Sequence, residues 1–194
     1  ILGTEVFEIA SLPPCVPGMR LNNKLVATAK NERVDYVLGS KVTGCTVADG
    51  KVVSVTVGTA GAGKEIKADA VVLAGGGFES GALKLDSHGH LHETILDLPV
   101  TMPEGVKEED LIHGDYWGSP QPLFLCGVEV DETMLVTYQG KPVHSNVYAA
   151  GGVIAGATRW QEKSGEGIAL GSAIKAADAI LSSVGAGAAT KERN

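Results

Sequence analysis

Two continuous apolar stretches, each followed by glycines, dominate the hydrophobic pattern of the chain. Residues 70–74 lead into the glycines at 75–77, and residues 147–150 lead into the glycines at 151 and 152. Apolar runs without alternation are typical of strands that are covered on both faces. We therefore predict two neighbouring parallel strands in one sheet. The glycines at their ends suit a sharp turn or the close approach of a ligand to the backbone.

A helix is predicted directly after the second strand and its loop. Residues 165–184 carry small apolar side chains at helical spacing, so the helix can lie close to a sheet. Ser164 is suited to cap its start, and Gly165 and Gly167 leave the first amides uncovered. Since a helix N-terminus attracts anions and polarised carbonyls, a ligand site is favoured here over a tight turn without a ligand.

Asp49-Gly50 lies between two valine-rich segments, which is typical of a type I′ hairpin. With a third short strand at 65–67, residues 41–67 are predicted to form a three-stranded meander beside the main sheet. Elsewhere the pattern predicts a strand at 6–9, a proline-rich loop at 11–18, a helix at 19–31 and a strand at 34–38.

The segment at 97–144, between the two apolar strands, has a different character. It is rich in proline, acidic residues and isolated aromatic residues, which indicates an irregular inserted lobe that could hold a substrate. The predicted organisation is therefore a Rossmann-like portion at 1–78 and 141–185, a substrate or cap lobe at 79–140, and a flexible tail at 186–194.

Two further motifs leave alternatives open. A strand that runs into Gly75-x-Gly77, with Asp97 about 20 residues further on, resembles the start of a dinucleotide fingerprint. An NAD-binding domain that uses these glycines would need a helix straight after Gly81.

His88, His90 and His92 alternate, but alternation also fits one face of an exposed strand or loop, so we assign no metal site.

The chain has 194 residues, of which 44% are hydrophobic, and a net charge of −7. An acidic balance argues against a nucleic-acid surface. We expect no membrane span, because no apolar run approaches roughly 20 residues. The three cysteines are far apart and indicate a reducing cytoplasm. The first residue, Ile1, is not methionine, which suggests a trimmed or excerpted chain.

The order of these elements resembles the C-terminal half of the flavin domain of fumarate reductase and related flavoproteins. The loop blocks 12–23, 114–122 and 127–133 resemble the B subunit of anaerobic glycerol-3-phosphate dehydrogenase. The fold class implied is α/β: the C-terminal half of an FAD/NAD(P)-binding Rossmann-like domain, with a three-stranded β-meander and an inserted irregular lobe.

This resemblance implies a flavin, FMN or FAD, and a complex with a catalytic flavoprotein partner (the A subunit) and an iron–sulfur partner (the C subunit). Such a complex oxidises glycerol 3-phosphate to dihydroxyacetone phosphate and passes electrons to quinone, in the cytoplasm at the inner face of the membrane. The sequence departs from many relatives at Gly152, where an aspartate would bind the ribityl chain, and it lacks an N-terminal Gly-x-Gly-x-x-Gly strand. A non-catalytic docking subunit is therefore the alternative.

Candidate site residues follow from the glycine turns and the resemblance. For the substrate, a cation suits a phosphate and a histidine can accept a proton near neutral pH, which points to His113, Arg159 and Lys163. Residues 165–169 should border an open cavity, and Gly167→Leu should abolish flavin retention. The cofactor-binding residues predicted are Val42, Gly75, Gly76, Gly151, Gly152, Gly165, Glu166, Gly167 and Ile168.

Overall fold

The structure is a computed structural model. It describes residues 14–58, 63–115, 118–159 and 163–191, together with residues 3, 5 and 7. Contacts divide the chain into one unit at 1–40 and a second unit at 41–194. The segment predicted at 1–78 has no boundary at this point. Most of the predicted strand at 6–9 lies outside the described residues.

The first unit contains helix α1 (Val16–Asn31), which begins earlier than predicted. The Cys15 thiol sulfur caps it by accepting a hydrogen bond from the Gly18 amide at 3.4 Å. Pro17 lies in the first turn, where its fixed φ suits a helix and its missing N–H costs nothing. The loop predicted through Gly18 therefore ends at the cap.

The prediction of a strand at 34–38 is wrong. These residues have no regular backbone structure, and Val37 and Leu38 are 62% and 74% exposed. A strand needs a neighbouring strand to pair its backbone groups, and no strand among the described residues pairs with this segment.

The second unit is built from short strands and one long helix. Its described strands are β1 (Lys41–Ala48), β2 (Lys51–Gly58), β3 (Lys64–Lys67), β4 (Val71–Leu73), β5 (Leu83–Leu85), β6 (Leu91–Glu93), β7 (Glu129–Val130), β8 (Val136–Tyr138), β9 (Lys141–Pro142) and β10 (Val147–Ala149). The helix is α2 (Gly165–Lys191). Short 3₁₀ helices cover Glu108–Asp110, Pro122–Leu125 and Gly151–Val153.

Strands β1, β2 and β3 form an antiparallel sheet in sequence order. Ala48 pairs with Lys51 across the turn, and Asp49 and Gly50 have φ angles of 51° and 71°. Two consecutive positive φ angles are what a type I′ turn requires, which confirms the role expected of Asp49-Gly50.

Strands β4 and β10 pair in parallel, with Val71 opposite Val147 and Leu73 opposite Ala149. This confirms the predicted pairing of the two apolar stretches. Val147 and Ala149 are fully buried, and Leu73 is 3% exposed. Together with Val52, Leu83, Leu96, Leu98, Val128, Val136 and Val153 they form the hydrophobic core of this unit.

Asn146, immediately before β10, ties the antiparallel sheet to this core. Its side-chain oxygen accepts the Val52 amide at 2.9 Å, and its amide nitrogen donates to the carbonyls of Val52 at 2.8 Å and Asp69 at 2.9 Å. The side chain is 6% exposed. One buried residue thus satisfies both backbone groups of Val52.

Helix α2 packs on the turn after β10 through its small residues. Ser172 Oγ accepts a hydrogen bond from the Gly151 amide at 2.9 Å and donates to the Ile168 carbonyl at 2.6 Å. The helix runs to Lys191, so the tail predicted at 186–194 is corrected over residues 186–191. Alanine, which is frequent there, has the highest helix propensity of all residues.

The other face of α2 exposes large apolar side chains. Leu170 and Leu181 are 65% and 70% exposed, and Ile174 and Val184 are 52% and 53% exposed. By length and hydropathy alone, Gly165–Val184 would suffice to cross a membrane, a test that core helices of globular proteins also pass. The expectation of no membrane span stays a prediction.

The segment at 79–140 contains the short strands β5 to β8 and two 3₁₀ helices, and its assignment as a substrate or cap lobe stays a prediction. Residues 41–194 form one unit, and this segment bonds directly to the chain around β10. The Val128 amide donates to the Val153 carbonyl at 2.9 Å, and the Ala149 amide donates to the Met134 carbonyl at 2.9 Å. These backbone bonds join the segment to the central sheet.

Cys126 lies in this segment and is 2% exposed. Burial raises the pKa of its thiol to about 11 from the ordinary value of 9.0, because the charged thiolate loses its hydration. At pH 8 only about one thiol in a thousand is then ionised.

We expect iodoacetamide at pH 8 to leave Cys126 unmodified in the folded protein and to modify it after unfolding in urea. The half-buried Cys15 serves as the internal control, and mass spectrometry of the peptides gives the readout. Because the folded state keeps the proton on the Cys126 thiol to higher pH than the unfolded state does, the free energy of unfolding should fall as pH rises from 9.0 to about 11. Equal labelling of both cysteines in the native protein would contradict this.

Candidate functional site

The two glycine turns after β4 and β10 lie beside each other. A Cβ added at Gly77 would lie 3.2 Å from the Gly152 carbonyl oxygen. This follows from the parallel pairing, because the carboxyl ends of adjacent parallel strands lie at the same edge of a sheet. Ligands of open α/β sheets bind at such edges.

Arg159 lies across both turns. A Cβ at Gly77 would lie 2.7 Å from Nη2 of Arg159, and a Cβ at Gly152 would overlap its guanidinium. Both positions therefore lack a side chain where the arginine lies. The space that a side chain at position 152 would occupy is filled by a cation.

The Arg159 guanidinium forms an ion pair with the carboxylate of Glu79. The arginine side chain is 21% exposed, whereas the glutamate side chain is 60% exposed. The Arg159 guanidinium is thus largely buried in the site, whereas the Glu79 carboxylate is exposed to solvent.

A cavity of about 610 Å³ opens next to this ion pair. Its described lining is Phe78, Glu79, Leu123, Phe124, Arg159, Lys163, Gly165 and Glu166. This size falls within the roughly 300–1,000 Å³ of typical small-molecule sites. The lining combines an apolar, partly aromatic wall with two cations and two carboxylates.

The cavity borders the start of α2 at Gly165 and Glu166, as expected of that end of the helix. The Ile168 amide donates to the Ser164 carbonyl at 2.9 Å, which marks Ser164 as the residue before the first turn. Gly167 and Ile168 are not among the lining residues described. A Cβ at Gly167 would meet nothing within 4 Å.

The other predicted cofactor residues are accounted for by contacts within the chain. A Cβ at Gly75 would lie 2.6 Å from Ile95 Cδ1, and Gly76, with a φ of +80°, faces the Ser80 side chain. Gly151 has a φ of +75° and contacts α2. Val42 packs against the hydrophobic core. Their assignment to the cofactor stays a prediction.

Of the three residues predicted on the substrate side, Arg159 and Lys163 line the cavity and His113 does not. The His113 amide donates to Gln121 Oε1 at 2.9 Å, and Gln121 Nε2 lies 3.2 Å from His113 Nδ1. Gln121 directly precedes the 3₁₀ helix that supplies Leu123 and Phe124. His113 is therefore fixed to the same loop but outside the described lining.

Sequence reasoning missed four lining residues. Phe78 and Glu79 follow the first glycine turn directly, so the position of that turn at a strand end could have indicated them. Leu123 and Phe124 carry no such signal, because only the path of the irregular segment brings them to the cavity.

The alternative of an NAD-binding domain at Gly75 and Gly77 is wrong. It requires a helix after Gly81, but the chain enters strand β5 at Leu83. A dinucleotide fingerprint needs the N-terminus of a helix for its pyrophosphate.

The three alternating histidines surround Asp86. Asp86 Oδ1 accepts hydrogen bonds from the amides of His88 at 2.8 Å and His90 at 2.9 Å, and Oδ2 lies 3.1 Å from His92 Nε2. These bonds, led by the His90 amide, lower the pKa of Asp86. Among the described residues no group of His, Cys, Asp and Glu has a geometry that could hold a metal ion.

The lining of the cavity fits a flavin in its chemistry. Phe78 and Phe124 offer an aromatic surface to a flat ring system, and Arg159 and Lys163 offer positive charge to a phosphate or to an electron-rich ring edge. Gly152 itself offers no side chain to a ribityl hydroxyl.

The sequence matches curated proteins named as the B subunit of anaerobic glycerol-3-phosphate dehydrogenase. The protein of Halobacterium salinarum, named as a probable one, is 28% identical over 186 residues, which cover 94% of this chain and 42% of the relative. That of Actinobacillus pleuropneumoniae is 29% identical over 187 residues, 92% of this chain and 41% of the relative. That of Haemophilus influenzae is 28% identical over 180 residues, 91% of this chain and 40% of the relative.

The resemblance drawn from the loop blocks is thereby confirmed, and the chain spans about two fifths of the length of these relatives. No solved structure matches the chain. The family match is to the FAD binding domain, and it runs from residue 1 to residue 168. This match supports a flavin as the cofactor. Because it covers most of the 194 residues, the chain belongs to the FAD binding domain family of flavoproteins.

Proposed function

We propose that this chain is the C-terminal portion of a flavoprotein subunit of a respiratory glycerol-3-phosphate dehydrogenase, which oxidises glycerol 3-phosphate to dihydroxyacetone phosphate and passes electrons to quinone. The fold proposed is the C-terminal half of a Rossmann-like domain. The observation that carries the proposal is the cavity at the ends of β4 and β10, which presents an aromatic wall beside two cations. The named relatives support the substrate class.

In this proposal the chain works with a catalytic flavoprotein partner and an iron–sulfur partner, the A and C subunits of the complex. The complex lies in the cytoplasm, peripheral to the inner face of the membrane, and it is attached there through a partner. The support is the designation of the relatives as B subunits, which indicates a multi-subunit assembly.

A flavin held here would supply the hydride acceptor for the oxidation at C2 of the substrate. The chain's own residues would orient the reactants: Arg159 and Lys163 hold the phosphate, and Phe78 and Phe124 exclude water from the ring face. Gly165 and Glu166 at the cavity, with Gly167 and Ile168 behind them in the first turn of α2, would hold an electron-rich part of a flavin through the positive end of the helix. The turns at Gly75, Gly76, Gly151 and Gly152 would line the path of the flavin side chain.

His113 keeps the proposed role of accepting the proton of the C2 hydroxyl. An imidazole nitrogen that carries a lone pair can act as a general base. Gln121 holds the backbone of His113, and its amide nitrogen, which can only donate, lies 3.2 Å from Nδ1 of the ring. In the neutral ring the lone pair is therefore on Nδ1 and the proton on Nε2, so His113 would take the substrate proton at Nδ1 after Gln121 releases that nitrogen.

Gly165→Leu should remove flavin from the complex purified with this chain. Gly165 lines the cavity, whereas Gly167 is not among the lining residues described. A side chain at position 165 therefore tests the cavity more directly than one at position 167. A Cβ at Gly165 meets only Arg159 Cβ at 3.8 Å, so the fold should tolerate the change. The expected result is a loss of roughly tenfold or more in flavin content, measured from the visible absorption per mole of protein.

The matched control is Gly171→Leu. Gly171 is exposed on the same helix, six residues or nearly two turns further on, and a Cβ there would meet nothing within 4 Å. It should retain stoichiometric flavin. Full flavin content in the Gly165→Leu complex would show that this cavity is not the flavin site.

A second candidate function is a non-catalytic docking subunit. The exposed apolar face of α2, with Leu170, Ile174, Leu181 and Val184, favours it, since such faces are usually covered by a partner. The parent complex discriminates the two: a docking subunit would carry no flavin of its own, and flavin would be found only on the catalytic partner.

A further inference from the structure

Glu79 has no assigned role in the reaction proposed above, although it lines the cavity and pairs with Arg159. We propose that Glu79 is an internal counter-ion, which occupies the Arg159 guanidinium until a phosphate monoester displaces it. The pair would then select phosphorylated ligands over neutral or singly charged ones. This inference rests on the proposed function for its substrate class.

The two partners differ in how firmly they are held. Arg159 lies on the backbone of Gly77 and Gly152, and its side chain is 21% exposed. Glu79 is 60% exposed, so its carboxylate can rotate into water without disturbing the packing. An exchange of partners therefore moves the glutamate and leaves the arginine in place.

The charges favour the exchange for one class of ligand. An exposed carboxylate pairs only weakly with a guanidinium, because water and salt screen it. A phosphate monoester carries a charge of about −1.5 to −2 at neutral pH and offers three strong acceptor oxygens. The planar fork of an arginine binds such a group through two parallel hydrogen bonds. A neutral polyol has no charge with which to displace Glu79.

Shape supports the same assignment. The ion pair lies at the edge of a cavity whose wall contains Phe78, Leu123 and Phe124. A ligand with a phosphate at one end and a less polar body would place its phosphate at Arg159 and its body against this wall. Both glycerol 3-phosphate and flavin mononucleotide have this form, so the chemistry shared by both is a phosphate monoester.

The test is isothermal titration calorimetry of the complex purified with this chain, with four probes: sn-glycerol 3-phosphate, flavin mononucleotide, inorganic phosphate and glycerol. Glu79→Gln should bind the phosphate probes roughly fivefold more tightly, as expected when an exposed ion-pair competitor is removed. Arg159→Gln should lower their affinity by about tenfold or more. Glycerol should show no gain in any variant.

Glu104→Gln is the matched control, since it makes the same change of charge at an exposed position that does not line the cavity. Arg159→Lys, which keeps the charge but loses the planar fork, should fall between the parent and Arg159→Gln. It keeps the test decisive if Arg159→Gln does not fold by circular dichroism.

A gain with glycerol 3-phosphate alone assigns the site to the substrate, and a gain with flavin mononucleotide alone assigns it to the cofactor. The inference is overturned if Glu79→Gln binds every phosphate probe no better than Glu104→Gln does, or if Arg159→Lys binds them as the parent does. The titration measures binding and does not depend on flavin reduction. If Gly165→Leu retained flavin but Glu79→Gln still bound the phosphate probes more tightly, only the proposed function would be contradicted.

Discussion

Replacing Gly127 with alanine should destabilise the 41–194 unit by about 3 kcal/mol. A Cβ at this position would lie 2.5 Å from the amide nitrogen of Ala155 and 2.5 Å from the carbonyl oxygen of Val153. Both are backbone atoms, and each is already bonded to Val128 at 2.9 Å. The segment after β10 cannot move aside without breaking these two hydrogen bonds.

Urea unfolding followed by circular dichroism measures this effect. Gly114→Ala is the matched control, because a Cβ at Gly114 would meet nothing within 4 Å. It should change the free energy of unfolding by no more than about 0.5 kcal/mol. If Gly127→Ala unfolded at the same urea concentration as the parent, the close approach of the two backbones would be wrong.

Asn146→Ala is expected to cost a similar amount, about 3 kcal/mol, for a different reason. The change removes three hydrogen bonds and leaves the amide and carbonyl of the buried Val52 without their partner. Unsatisfied buried backbone groups cost roughly 1–3 kcal/mol each.

The neighbouring Ser145→Ala provides the control for Asn146→Ala. Ser145 is exposed, and its amide bond to the Gly50 carbonyl at 3.0 Å survives the substitution. Thermal unfolding should show a large drop in the midpoint for Asn146→Ala and almost none for Ser145→Ala. Equal midpoints for the two variants would mean that Asn146 does not hold the antiparallel sheet to the core.

The elements predicted well are those whose signal is local or continuous. Asp49-Gly50 determines a hairpin within a few residues, and the apolar runs of β4 and β10 pair with each other as predicted, although Val72 of β4 is 41% exposed and this strand is covered on one face only. Residues 34–38 contain two valines, as residues 70–74 do, but no described strand pairs with them. The composition of a segment does not show whether a partner strand is present. Strand propensity is therefore a statement about surroundings as much as about residues.

The candidate site divides in the same way. Arg159, Lys163, Gly165 and Glu166 could be indicated from the sequence, because they surround the start of a helix that follows a strand. The contact of Arg159 with the two glycine turns could not, because Gly77 lies far from it along the chain. Leu123 and Phe124 reach the cavity only through the fold of an irregular segment.

The bonds of Asn146 to Val52 join positions that lie 94 residues apart in the sequence. The β1–β2 hairpin closes across two residues and can form as soon as it leaves the ribosome, whereas the sheet edge that carries the cavity must await β10. During synthesis the nascent chain therefore exposes Val52 and the open edge of β4 until residue 149 has emerged. We therefore expect the ligand site to assemble late in folding, because Arg159 to Glu166 follow β10 in the chain.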